Sequence, residues 1–212
     1  RATLRAKAVR AKPGHFVKTR ISIDNSTGIS GEGMEIHILY DAVRMTPRSQ
    51  VDPSKPTVHL TGLSKNLIFS DNSATSNGEL VITGQGGALE PGDGKLFTIE
   101  FLIAESIPRK TILTFAIDSA FLRDLYGNPL VVDIVNEGGI EIEDGYLPGD
   151  LDGDGLVGMA DFARLRDLLK PSSDPPTPEE LLAGDLNGDG RLTHKDLVLL
   201  LRLILGLPLD EN

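Results

Sequence analysis

The chain has 212 residues, 40% of them apolar and 25% charged, with no cysteine, no tryptophan and a formal net charge of −10. That length allows one large domain or two smaller ones, each able to bury a core, and the composition is globular rather than disordered, collagenous or membrane-like. The missing cysteines exclude disulfides, thiolate metal sites and a thiol nucleophile; no apolar run is long enough for a spanning helix, and no basic stripe points to nucleic acid.

Arg1 to Lys12 alternate basic with small or apolar residues, without the unbroken apolar stretch of a signal peptide, and none is expected here. From Thr3 to about Glu143 the pattern is strand-like. Period-two or continuous apolar stretches fall near Phe16–Ile23, Met34–Tyr40, Thr57–Leu60, Leu67–Phe69, Leu80–Thr83, Leu96–Ile103, Ile112–Ile117, Val131–Ile134 and Ile140–Ile142, separated by turn clusters such as Gly84-Gln85-Gly86-Gly87. About nine short strands at this spacing predict an all-β sandwich or jelly roll of roughly 140 residues. Helical periodicity is not sustained, apart from an ambiguous stretch at Ala120–Tyr126. If Met34, Ile36, Ile38 and Tyr40 point inward, alternation turns Glu35, His37 and Leu39 outward.

At Gly145-Tyr146-Leu147-Pro148-Gly149 the character changes from strands to helices. Residues 145–212 carry 6 Lys and Arg against 13 Asp and Glu, a net −7, whereas residues 1–144 carry 15 against 18. A leucine-rich segment this acidic points to a bound cation rather than to disorder. Gly149-Asp150-Leu151-Asp152-Gly153-Asp154-Gly155 realigns with Gly184-Asp185-Leu186-Asn187-Gly188-Asp189-Gly190, which marks an internal duplication. Each copy runs into a helical pattern, one with Phe162, Leu165, Leu168 and Leu169, the other with Leu197 to Leu205. Between them lies a proline-rich connector, residues 171–178, closed by Thr177-Pro178-Glu179-Glu180, which reads as N-cap, first-turn proline and capping-box glutamate.

Both copies have the spacing of an EF-hand calcium loop, in which oxygens at loop positions 1, 3, 5, 7 and 12 converge on one ion and glycine at position 6 makes the turn. The expected ligands are Asp150, Asp152, Asp154, the Leu156 carbonyl and Asp161 in the first loop. In the second they are Asp185, Asn187, Asp189, the Arg191 carbonyl and Asp196. Two Ca2+ ions would lower the −7 of this segment to −3. Magnesium is disfavoured because it prefers a tight octahedron that keeps several waters. The stretch Leu197–Leu205 is apolar almost all round a helix, so part of it is expected to stay open as a protein interface.

The duplicated loops with Asp at position 12, each followed by an exit helix, resemble a dockerin over about Gly149–Leu207. The β-rich part resembles a cohesin domain through Phe16–Asp24, Gly33–Asp41 with its Tyr40-Asp41 ending, Gly92–Phe101 and the closing Gly138–Ile142. The two modules are expected at 1–144 and 145–212. The resemblance implies a non-catalytic scaffolding or adaptor protein of a cellulosome-like assembly, extracellular or at the cell surface, with cohesin- and dockerin-bearing proteins as partners. Head-to-tail self-association or intramolecular docking is open.

By the same resemblance, loop positions 10 and 11 would contact a cohesin. Here they are Met159-Ala160 and His194-Lys195, with Leu201 and Arg202 on the second exit helix. The two pairs differ, and neither is the usual pair of small hydroxyl residues, which argues against a symmetric two-way binding mode. Glu35, His37 and Leu39 would belong to the face that receives a dockerin. The alternative is a carbohydrate-binding sandwich tethered by its dockerin, which the absence of tryptophan disfavours. His15 and His59 lack companions at metal-ligand spacing, no acid/base or nucleophile constellation is present to suggest an enzyme, and Asn25-Ser26-Thr27 reads as a turn rather than a glycosylation site.

Overall fold

The computed structural model of the protein describes residues 1–171 and 173–209; Ser172 of the connector and residues 210–212 of the second module lie outside them. The chain divides into two compact units, one formed by Arg1–Glu105 with Lys110–Glu143 and the other by Ser106–Arg109 with Asp144–Asn212. Residues 106–109 join the second unit because the Arg109 N–H donates to the Tyr146 carbonyl at 2.9 Å and Pro108 bridges to Tyr146 in parallel register. Pairing across so many residues leaves no local pattern in the sequence.

The first unit contains β1 (Ala2–Ala6), β2 (Val9–Ala11), β3 (Phe16–Asp24), β4 (Ile29–Tyr40), β5 (Met45–Pro47), a single helical turn α1 (Arg48–Val51), β6 (Val58–Leu60) and β7 (Ile68–Asp71). It continues with β8 (Glu79–Gly86), β9 (Gly94–Ile103), β10 (Ile112–Leu113), β11 (Phe115–Asp124), β12 (Val132–Asn136) and β13 (Ile140–Ile142). One sheet runs β12-β1-β3-β9-β5, with β6 also paired to β9; a second runs β11-β4-β8-β7; a small third runs β10-β13-β2. Nine strands were expected and thirteen are described. The additional ones are short: β1 and β2 lie in the basic N-terminal stretch, β5 follows Asp41, and Ile112–Ile117 resolves into β10 and β11. The ambiguous stretch at Ala120–Tyr126 is the end of β11 as far as Asp124, where pairing with β4 overrides any helical preference.

Period-two alternation builds the core. On β4, Met34, Ile36, Ile38 and Tyr40 are buried, and on β9 Phe97, Ile99, Phe101 and Ile103 are fully buried. Rings from three strands meet there, with Tyr40 5.0 Å from Phe101 and Phe101 edge-on to Phe115 at 6.2 Å. Such tilted and edge-on pairs add to the burial energy of the rings.

The second unit contains α2 (Met159–Leu168), α3 (Pro178–Gly184) and α4 (His194–Ile204). Its core is Leu151, Leu165, Leu168, Ala183 and Leu200, with Val157, Phe162, Leu197 and Ile204 packed around it. The start of α3 follows its sequence signature. Thr177 Oγ1 accepts from Glu180 N at 3.2 Å, the Glu180 carboxylate accepts from Thr177 N at 2.8 Å, and Pro178 opens the helix. Burial alone would raise the Glu180 carboxyl, but the Thr177 N–H and then its ion pair with Arg164 of α2 hold it below the ordinary glutamate range. That ion pair staples the first exit helix to α3.

Candidate metal loops and docking faces

The two loops are closed in the same way. Oδ1 of Asp161 accepts from Leu151 N at 2.8 Å and Asp152 N at 3.2 Å, while Oδ2 accepts from Gly158 N at 2.7 Å. In the second loop Asp196 accepts from Leu186 N at 3.0 Å, Asn187 N at 3.2 Å and Thr193 N at 2.9 Å. Both carboxylates are buried, at 2% and 0% exposure. Each closes its loop by tying the first residues to the start of the exit helix, where it also satisfies an otherwise orphaned N–H. The shorter aspartate arm at position 12 suffices because the helix begins against the loop.

The rest of each loop winds around its first carboxylate. Asp150 Oδ2 accepts from Gly155 N at 2.9 Å, and Asp185 Oδ2 from Gly190 N at 2.8 Å. Asp152 and Asn187 each accept from the N–H at position 5, and Asp154 and Asp189 from the N–H at position 7. Gly155 and Gly190 take positive φ of 86° and 80°, the left-handed conformation that glycine adopts without penalty. Carboxylate oxygens of Asp150, Asp152 and Asp154 all lie within 4.8 Å of one another. Two oxygens sharing one calcium at about 2.3–2.6 Å are at most about 5 Å apart, so this trio fits a hard divalent cation. The second loop pairs Asp185 and Asp189 with Asn187, whose Nδ2 donates to Asp189 at 3.1 Å. A contact the sequence does not reveal is the Arg109 guanidinium, which donates to the Gly155 carbonyl at 2.9 Å. Leu156 and Arg191, whose carbonyls are the expected position-7 ligands, have exposed side chains.

Met159, Ala160, His194 and Lys195 are all exposed. On α4, Leu200 is buried and Leu197 and Arg202 are partly buried, while Val198, Leu201 and the capping Leu205 just past the helix are 48%, 37% and 63% exposed. The apolar helix therefore leaves one stripe open. On the sandwich, Glu35 and Leu39 are exposed and His37 is half-buried. The His37 ring lies between two carboxylates, Nδ1 2.6 Å from Glu79 and Nε2 2.7 Å from Glu35. Both contacts are hydrogen bonds only when both nitrogens carry protons, so Glu79 first and Glu35 second raise the imidazole pKa above 6.5. His59 instead faces Glu100 at 3.3 Å, and His15 Nδ1 lies 2.8 Å from the Pro13 carbonyl. Asn25 adopts φ 62° in a turn and accepts from Thr27 N.

Residues 148–205 match the type I dockerin domain family. Type I dockerin domains bind calcium, in keeping with the acidic trio of the first loop. No curated protein matches the chain. Among solved structures, the chain is similar to a non-cellulosomal cohesin from the hyperthermophilic archaeon Archaeoglobus fulgidus, with a TM-score of 0.54 at 17% identity over 68% of this chain and 91% of that one. It is similar to the sixth cohesin of scaffoldin B from Acetivibrio cellulolyticus, in complex with a Cel5 dockerin mutant, with a TM-score of 0.54 at 18% identity over 67% and 99%. A further likeness is to the seventh ScaB type I cohesin from Pseudobacteroides cellulosolvens, with a TM-score of 0.52 at 16% identity over 69% and 94%. At these identities the likeness concerns the fold, and the matched share is the size of the sandwich. The chain is thus a β-sandwich with the cohesin fold followed by a type I dockerin domain.

Proposed function

We propose that the protein is a non-catalytic adaptor: its sandwich, residues 1–144, receives the dockerin of one partner, and its own dockerin, residues 145–212, docks into the cohesin of another. The observation that carries this reading is the duplicated loop pair within the dockerin match, each closed on a buried aspartate at the foot of an exit helix. Two calcium ions would be held, one by Asp150, Asp152, Asp154, Asp161 and the Leu156 carbonyl, the other by Asp185, Asn187, Asp189, Asp196 and the Arg191 carbonyl. When bound, calcium supplies charge neutralisation, so its binding energy becomes folding energy of the module. The assembly would be cellulosome-like and extracellular or at the cell surface.

The dockerin would present Met159 and Ala160 or His194 and Lys195, with Leu201 and Arg202, in one dominant orientation. A two-fold-related mode needs equivalent side chains at equivalent places, and a small apolar pair opposite a basic pair is not equivalent. The sandwich would receive its partner on Glu35, His37 and Leu39. Calorimetric titration of the full chain against a panel of cohesins and dockerins, with calcium and with a chelator, tests both halves. The reading predicts that chelation abolishes binding to cohesins. Exchange of the Met159-Ala160 and His194-Lys195 pairs should weaken binding, and an unchanged affinity would rule out the single orientation. Binding to cellulose and related glycans, with none to any dockerin, would favour the carbohydrate-binding alternative.

A further inference from the structure

We infer that the outer face of the six-stranded sheet holds a binding site for an oxyanion, presented either as a free ion or as an acidic group on a polysaccharide. The face gathers cations in a unit whose net charge is negative. Arg5 on β1 stands opposite Ser22 on β3, and Ser22 stands opposite Lys95 on β9. Arg5 and Lys95 are therefore two strands apart, about 10 Å, with the serine between them. Arg20 is the next residue along β3 on the same face, and Lys7 lies just beyond the end of β1, its N–H donating to the Arg20 carbonyl at 3.2 Å. The pairing of β3 with β9 shifts between Ile21 and Ser22, which leaves Leu96 unpaired. A bulge of this kind bends its strand and re-aims the adjoining side chains. Together these residues line a cavity of about 480 Å³.

Two observations point to a ligand. Ser22 is only 8% exposed and its hydroxyl has no hydrogen-bond partner. Buried hydroxyls are normally paired, and an unpaired one calls for a missing partner. The cations beside it are divided. Arg5 is held by Asp24 at 2.9 Å and Lys7 by Glu137 at 2.9 Å, while no carboxylate among the described residues pairs with the side chains of Arg20 or Lys95. The acids at the rim are already engaged, Asp24 by Arg5 and Asp93 by the Asn25 N–H at 2.6 Å. A negatively charged acceptor would take the Ser22 O–H as donor and draw charge-assisted bonds from Arg20 and Lys95. A neutral sugar would satisfy the hydroxyl and leave both cations unpaired. The site is independent of the docking reading, since it uses neither β4 nor the calcium loops.

The test is an NMR titration of the calcium-loaded full chain with sodium sulfate at constant ionic strength, beside dextran sulfate and neutral dextran. Saturable amide shifts should centre on Arg5, Arg20, Ser22 and Lys95. Loss of one charge-assisted bond weakens binding by about tenfold, so the double variant Arg20→Gln/Lys95→Gln should weaken it by more than that and Ser22→Ala by less, each keeping the parent's spectrum elsewhere. Tighter binding per group by dextran sulfate than by sulfate assigns a polysaccharide source, and equal binding a free ion. The inference is overturned if sulfate does not saturate, if the shifts lie elsewhere, if dextran binds as well as dextran sulfate, or if either variant binds like the parent.

Discussion

At the scale of single residues, His37 joins charge to the sheet surface. Its ring is bracketed by Glu79 from β8 and Glu35 on its own strand, and the facing position on β11 is Ser119. Because the folded pKa lies above the ordinary 6.5, the stabilisation is complete below that value and is lost as pH rises through the folded pKa. An NMR titration should therefore place His37 above 6.5. Glu79→Gln should lower it further than Glu35→Gln, since Glu79 makes the larger contribution. The glycines ahead of the two loops give a second residue-scale expectation. A Cβ at Gly184 would lie 2.8 Å from a Leu192 methyl, whereas one at Gly149 would meet Val157, Leu203 and Leu200 at 2.9–3.1 Å on a backbone with φ 93°. Overpacking costs about 1–3 kcal/mol and the left-handed conformation roughly 1–2 kcal/mol more for alanine. Gly149→Ala should accordingly destabilise the calcium-loaded dockerin more than Gly184→Ala, as read from its thermal unfolding.

At the scale of elements, each exit helix is started by the same side chain that closes its loop. Replacing Asp196 with alanine strands the N–H groups of Leu186, Asn187 and Thr193. Unmet buried donors cost about 1–3 kcal/mol each where water cannot replace the partner, so the loss is on the order of 3 kcal/mol. Asp189 is exposed and serves its own turn. The helical circular dichroism of Asp196→Ala should stay reduced at saturating calcium, whereas Asp189→Ala should regain the parent's signal at higher calcium. Equal recovery of both variants would show that the position-12 aspartate acts through the metal alone. The Arg164–Glu180 staple between α2 and α3 sits apart from the loops, and its removal should lower stability without changing the number of ions bound.

At the scale of the whole molecule, the two units have separate cores and different demands. The sandwich is stabilised by apolar burial and long-range pairing, while the dockerin concentrates the −7 charge of residues 145–212 on a small core. Calorimetry of the full chain with calcium should show two transitions. A chelator should remove or markedly lower the dockerin's transition and leave the sandwich's in place, because the proposed calcium ligands all lie in the second unit. A sandwich transition that moved with chelation would locate a structural calcium site there as well.

Local chemistry made much of this protein legible from its sequence. The duplicated Asp and Gly spacing marked both loops, because a turn wound around side-chain acceptors requires those acceptors and a permissive backbone at fixed intervals along the chain. Thr177-Pro178-Glu179-Glu180 announced α3 because a capping box is made within four residues, and the alternation of Met34 to Tyr40 assigned the two faces of β4 because side chains alternate along a strand. Only tertiary structure decided how β1 and β2 pair with β12 and β13, that residues 106–109 join the second unit, that Arg109 reaches the Gly155 carbonyl and that Glu79 comes against His37. It alone also brought Arg5, Ser22 and Lys95 together from three strands. These contacts join residues remote along the chain. Their partners are chosen by how the whole core closes, and no periodicity records that choice.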